Sequence, residues 1–141
     1  MQLALRSDEP RGAGLWQSFA CWLIRARLVS RYSHGGVVID GHLYHATTAG
    51  GLHMLKPGEW SPELWDLFDT EADSATALQL YAQHAGAGYD WFSLLAFVGV
   101  RARDARRFYC YEWCWMALTG EGPKARVTPE VLLRFALKAH P

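Results

Sequence analysis

His34-Gly35-Gly36-Val37-Val38-Ile39-Asp40-Gly41-His42-Leu43-Tyr44-His45-Ala46-Thr47 is the stretch that decides the fold. Two β-rich runs, residues 33–39 and 42–47, flank Asp40-Gly41. An Asp-Gly pair between apolar runs is the strongest short-range hairpin signal, because both central residues of a type I′ turn need positive φ. A two-residue turn fixes the register: Ile39 faces His42, Val38 faces Leu43, Val37 faces Tyr44 and Gly36 faces His45. Alternation then puts His34, Gly36 and Val38 on one face with Leu43, His45 and Thr47, and turns His42 to the other. His34 and His45 become diagonal neighbours, roughly 7–8 Å apart at Cα and closer at their rings. Gly36 is expected to leave open space across from His45, so that one ring can orient the other as a base and its positioning partner do.

Outward from the hairpin, residues 2–6 read as a short strand, and residues 14–26 as an amphipathic helix through Leu15, Phe19, Trp22 and Leu23. Gly50-Gly51 ends the second hairpin strand, residues 52–55 start a third, and Pro57-Gly58 turns the chain. A further strand is predicted over 64–68 and a helix over 70–85, stopped by Gly86 and Gly88. Asp90 is placed as the N-cap of a helix over 91–98, followed by a charged loop at 101–107. Residues 109–119 form an apolar helix, and Thr128-Pro129-Glu130 opens the last one, to about Ala139. No internal repeat is present. Helices around one antiparallel sheet make the class α+β.

The 141 residues are one domain's worth of chain, so residues 1–141 are read as a single domain. Half are hydrophobic and a fifth charged, which excludes a disordered tail. The 14 basic and 14 acidic side chains cancel, so a global basic field for nucleic acid is absent. The cancellation hides a segregation. Residues 57–100 hold seven acids and no Lys or Arg, whereas residues 101–141 hold eight bases and four acids. The acids Glu59, Glu63, Asp66, Asp69, Glu71 and Asp73 lack the spacing of a calcium loop and read as a solvated face. No apolar run approaches the ~18 residues that span a bilayer, and the N-terminus lacks the pattern of a signal peptide, so synthesis in a reducing cytoplasm is expected. The site of action is left open to delivery by other machinery. Three cysteines are too few for a disulfide framework.

Among those cysteines, Cys110 stands out in Phe108-Tyr109-Cys110-Tyr111-Glu112-Trp113-Cys114. It begins a helix, where free backbone N–H groups and the positive end of the dipole favour a thiolate and can also hold a developing oxyanion. Arg106 and Arg107, just upstream, add positive charge. Cys114 lies one turn deeper and is expected in the core, as is Cys21. A zinc site from Cys110, Cys114 and two histidines is disfavoured by the poor Cys-x3-Cys spacing. No metal and no cofactor are therefore expected. Of the seven tryptophans, Trp22, Trp91 and Trp113 sit on apolar faces, whereas Trp60 and Trp65 lie near loops where a cleft can use them.

The order of these segments is more specific than any one of them. Tyr32-Ser33-His34-Gly35-Gly36, then Leu43-Tyr44-His45-Ala46, then Tyr89-Asp90, then Tyr109-Cys110-Tyr111-Glu112 and finally Thr128-Pro129-Glu130-Val131-Leu132 resembles the circularly permuted papain-fold hydrolases related to NlpC-type cell-wall peptidases. The likeness spans roughly residues 30–135. It implies a permuted papain-like domain with Cys110 as nucleophile, His34 as general base and His45 as the orienting third member. Tyr89-Asp90 is a supporting pair. Tyr111 departs from the pattern, which has Ser after the nucleophile, and a bulky ring there is expected to narrow the cleft or change the substrate. The implied activity is a cysteine amidase or endopeptidase on amide bonds such as those of peptidoglycan stem peptides. The lecithin:retinol acyltransferase family runs His, His, Cys in the same order, so an acyl-lipid substrate is the alternative. A catalytically silent binding module is a third. The substrates implied are a peptide, a peptidoglycan fragment or an acyl lipid, with no nucleic acid.

Overall fold

The computed structural model describes residues 1–7, 15, 18–19, 22, 30–47, 49–89, 107–108, 110–124 and 126–138. Apart from isolated positions, the expected helices at 14–26 and 91–98 lie outside them. So do Cys21, Asp90, Tyr109 and the charged loop up to Arg106.

A five-stranded antiparallel sheet is flanked by three helices among the described residues, an α+β arrangement. Its strands are β1 (Gln2–Arg6), β2 (His34–Ile39), β3 (His42–Thr47), β4 (Gly51–Leu55) and β5 (Asp66–Asp69). Their spatial order is β4-β3-β2-β1-β5. The hairpin register is the one the Asp-Gly turn dictates, from Gly36 opposite His45 to Ile39 opposite His42. Asp40 and Gly41 take φ of 49° and 78°, the left-handed pair a type I′ turn requires.

The register sorts every strand residue onto one of two faces. Leu3, Leu5, Val37, Ile39, Tyr44, Ala46 and Leu52 fall on the first, and all belong to one large apolar cluster. Helix α2 (Cys110–Thr119) packs on that face through Tyr111, Trp113 and Cys114, with α1 (Ser74–His84) and α3 (Pro129–Lys138) packed beside it. Ala4, Val38 and Leu43 fall on the second face and pack with Trp65 in a smaller cluster. Trp60 and Leu55 extend it. His34, His45 and His53 share this second face by the same alternation.

Four boundaries or contacts differ from the sequence-based expectation. Pro62–Leu64 close a 3₁₀ turn, so the strand predicted over 64–68 begins at Asp66 instead. The helix predicted from residue 70 begins at Ser74, because the Asp73 carboxylate caps it by accepting from the N–H groups of Ala75 and Thr76. Arg107, expected to end the charged loop, is in a strand instead: Arg107-Phe108 pairs in parallel with Gly88-Tyr89, giving a two-stranded ladder, β6 (Gly88–Tyr89) and β7 (Arg107–Phe108), beside β4. Gly36 does not leave open space either. A Cβ there would lie 2.9 Å from Leu43 Cδ1, 2.9 Å from the Tyr44 carbonyl oxygen and 3.1 Å from His45 Cβ. Its lack of a side chain serves close packing rather than a gap.

Candidate active site

The second face of the sheet holds a connected cluster of rings. His34 Nε2 and His45 Nδ1 are 2.9 Å apart, a hydrogen bond in which one imidazole N–H donates to the other's bare nitrogen. The rings meet edge to face, with centroids 5.2 Å apart and planes at 68°. Trp65, buried on the same face, lies 5.5 Å from the His34 ring and 6.2 Å from that of His45. His53, opposite His45 across β3 and β4, brings its ring to 4.5 Å. Its Nδ1–H donates to the Gly51 carbonyl at 3.0 Å. Arg6 faces His34 across β1 and β2, and its guanidinium carbon stands 5.9 Å from the centre of the Trp65 ring.

Burial sets the charge of the pair. It pushes the His34 pKa down to about 4, and Arg6 and His53 push the same way. The His45 pKa falls to about 2, from burial first and then from His34, His53 and Arg6. Both rings are therefore neutral at pH 7, the state a general base must start from. His34 spends Nε2 on His45, which leaves Nδ1 as its nitrogen for an outside proton. His45 Nε2 is buried with no hydrogen-bond partner. For His34 Nδ1 to be the bare nitrogen, the shared proton sits on His34 Nε2, which donates to His45 Nδ1, and His45 carries its own proton on Nε2.

Cys110 is the first residue of α2 and is 1% exposed. Its side chain belongs to the apolar cluster of the first face. Gly35 explains how α2 comes so close to β2: a Cβ on it would sit 3.0 Å from Tyr111 Cδ1 and 3.2 Å from Cys114 Sγ. The Tyr111 hydroxyl donates to the Tyr32 carbonyl at 3.1 Å, and the Trp113 indole N–H to the Tyr44 carbonyl at 3.0 Å. These bonds bolt the first turns of α2 to the hairpin. Tyr111 thus lies in the core, 1% exposed, and does not narrow a cleft as expected from the sequence. Cys114 is fully buried, and burial together with Cys110 raises its pKa well above the usual thiol value.

The structure brings His34 and His45 together. It places Cys110, at the start of α2, in the apolar cluster of the opposite face. Phe108 of β7 precedes Cys110 by two residues, and β7 stands beside β4. Leu52 in turn exchanges backbone hydrogen bonds with the segment of Gly86 and Ala87 that leads into β6. Tyr89 is in β6, while its partner Asp90 lies outside the described residues.

Three members of the cluster were not singled out for chemistry by the sequence. His53 required knowing that β4 starts at Gly51, which fixes His45 against it. Arg6 required knowing that β1 pairs with β2. Trp65 carried a weak signal as a loop tryptophan. Among the described residues no group of three or more His, Cys, Asp or Glu side chains is arranged to hold a metal ion. No family model matches the sequence, and no curated protein does.

Proposed function

We propose that the protein is a cysteine hydrolase of the permuted papain-like, NlpC-related type. In this reading it cleaves amide bonds such as those of peptidoglycan stem peptides through Cys110, His34 and His45. The observation that carries the reading is the direct ring-to-ring hydrogen bond of His34 and His45, which orients the His34 imidazole and, with His34 Nε2–H as donor, leaves Nδ1 bare for a proton. The position of Cys110 at a helix start supports it.

In this reading the Cys110 thiol gives up its proton to the bare Nδ1 of His34. The thiolate attacks the carbonyl carbon and a C–S bond forms. The oxyanion is held by backbone N–H groups at the start of α2. Collapse breaks the C–N bond, and the leaving amine takes the proton from His34. Water, activated by the same imidazole, then releases the acid from the thioester. His45 keeps the His34 ring oriented throughout. Proton transfer by a placed imidazole contributes typically ~10²–10⁴-fold to such a rate.

A second reading, a non-catalytic binding module on the same fold, is favoured by one observation: Cys110 is buried in the apolar cluster of the face opposite the histidines. Incubation of the wild type and of Cys110→Ala with peptidoglycan and, separately, with phospholipid vesicles distinguishes these readings. Fragment release from peptidoglycan that disappears in Cys110→Ala supports the amidase. Acyl release from the vesicles with the same dependence moves the substrate to lipid. Release that persists in Cys110→Ala, or none from either source, overturns the hydrolase reading.

A further inference from the structure

Arg6 is a cation in an unusual setting. Its Nε is buried without a hydrogen-bond partner. Around it stand Trp65, whose ring lies against the guanidinium, and His34, its partner across the two strands. The acid nearest in the strand order, Asp66, sits opposite Leu5 and so points to the other face. There it is engaged by Arg31 and by the Tyr32 hydroxyl. Among the described residues Arg6 has no carboxylate partner. A guanidinium stays charged at any working pH, and a partly desolvated one with an unused N–H is costly unless an anion meets it. The two histidines beside it are neutral and supply no negative charge.

We infer that Arg6, backed by Trp65, forms a subsite that holds a carboxylate of the ligand directly beside the His34–His45 pair. A planar guanidinium takes a carboxylate through two parallel N–H···O bonds, so the subsite fixes orientation as well as charge. Identifying the ligand as substrate rests on the hydrolase reading above; the subsite itself does not. With that reading, the favoured substrates carry a free carboxylate within about one residue of the scissile amide, as a peptide with an unblocked C-terminus does.

The test is an NMR titration of the full chain, following the ring protons of His34 and His45. The probes are N-acetylglycine and its neutral isostere N-acetylglycinamide. The carboxylate is expected to shift both rings in saturable fashion, and the amide to bind at least about tenfold more weakly. Arg6→Gln should bring the carboxylate down to the level of the amide. Arg6→Lys, which keeps the charge and loses the fork, should bind between the two and keeps the test valid if Arg6→Gln does not fold. Equal titration by the two probes in the wild type, or carboxylate binding unchanged in Arg6→Gln, overturns the proposal. Carboxylate binding retained in Cys110→Ala, alongside an unreactive Cys110 in the wild type, keeps the subsite and removes the hydrolase. A reactive Cys110 with no carboxylate preference does the reverse.

Discussion

A neutral imidazole held by a second neutral imidazole is the chemical core of the second face, and it leaves a mark on stability. In the unfolded chain His34 titrates near 6.5, whereas in the folded protein burial holds it down to about 4. Between those values the unfolded state binds more protons. Stability is therefore full above about pH 6.5 and falls as the pH drops toward 4, by roughly 3 kcal/mol for His34 taken alone. The urea midpoint should decline over that range, and His34→Gln should flatten the decline. An equally steep decline in the variant would place its cause elsewhere. At the same scale, the diagonal approach of His34 and His45 was legible from the hairpin alone, because turn length and alternation leave no freedom. The contribution of Arg6 and His53 was not, because both depend on strand pairings between segments distant in sequence.

At the scale of elements, the contact between α2 and β2 is the joint on which the site depends. Gly35 permits it, and a methyl group at that position would meet the Tyr111 ring and the Cys114 sulfur. Gly35→Ala should destabilise the fold by about 1–3 kcal/mol through overpacking, read as a lower midpoint in chemical denaturation. Asp73→Ala should cost about 0.5–2 kcal/mol by removing the cap of α1, while leaving the His34–His45 ring contacts unchanged in an NMR spectrum. An unaltered midpoint in either variant would contradict the packing described. The sequence announced the strands of the hairpin and the starts of the last two helices through local chemistry: the Asp-Gly turn, the aromatic run into Cys110 and Thr128-Pro129. It was silent on the β6–β7 ladder, since two-residue strands have no periodicity to read. It also misplaced α1 by four residues, because Asp73 and not the start of the apolar pattern decides where that helix begins.

Over the whole molecule, the division of the sheet into two faces governs the account. One face carries the large apolar cluster and the cysteine helix, and the other carries the histidines, Trp65 and Arg6. The acids at Glu59, Glu63, Asp66, Asp69, Glu71 and Asp73 are all exposed, in keeping with a solvated block. Several are engaged there: Asp66 by Arg31, Asp69 by the Gln2 amide and Asp73 as a cap. The neutral total charge therefore coexists with a basic residue, Arg6, set among the rings of the second face. The proposed function stands or falls on the Cys110 thiol and the His34 ring acting as one unit. The pH dependence of Cys110 alkylation by iodoacetamide, followed residue by residue in the wild type and in His34→Ala, tests it most directly. The account predicts an apparent thiol pKa for Cys110 well below the ordinary ~8.5, raised toward that value in His34→Ala, with Cys114 unreactive in both. A Cys110 that alkylates as an ordinary or protected thiol, with the same profile whether or not His34 is present, would contradict it.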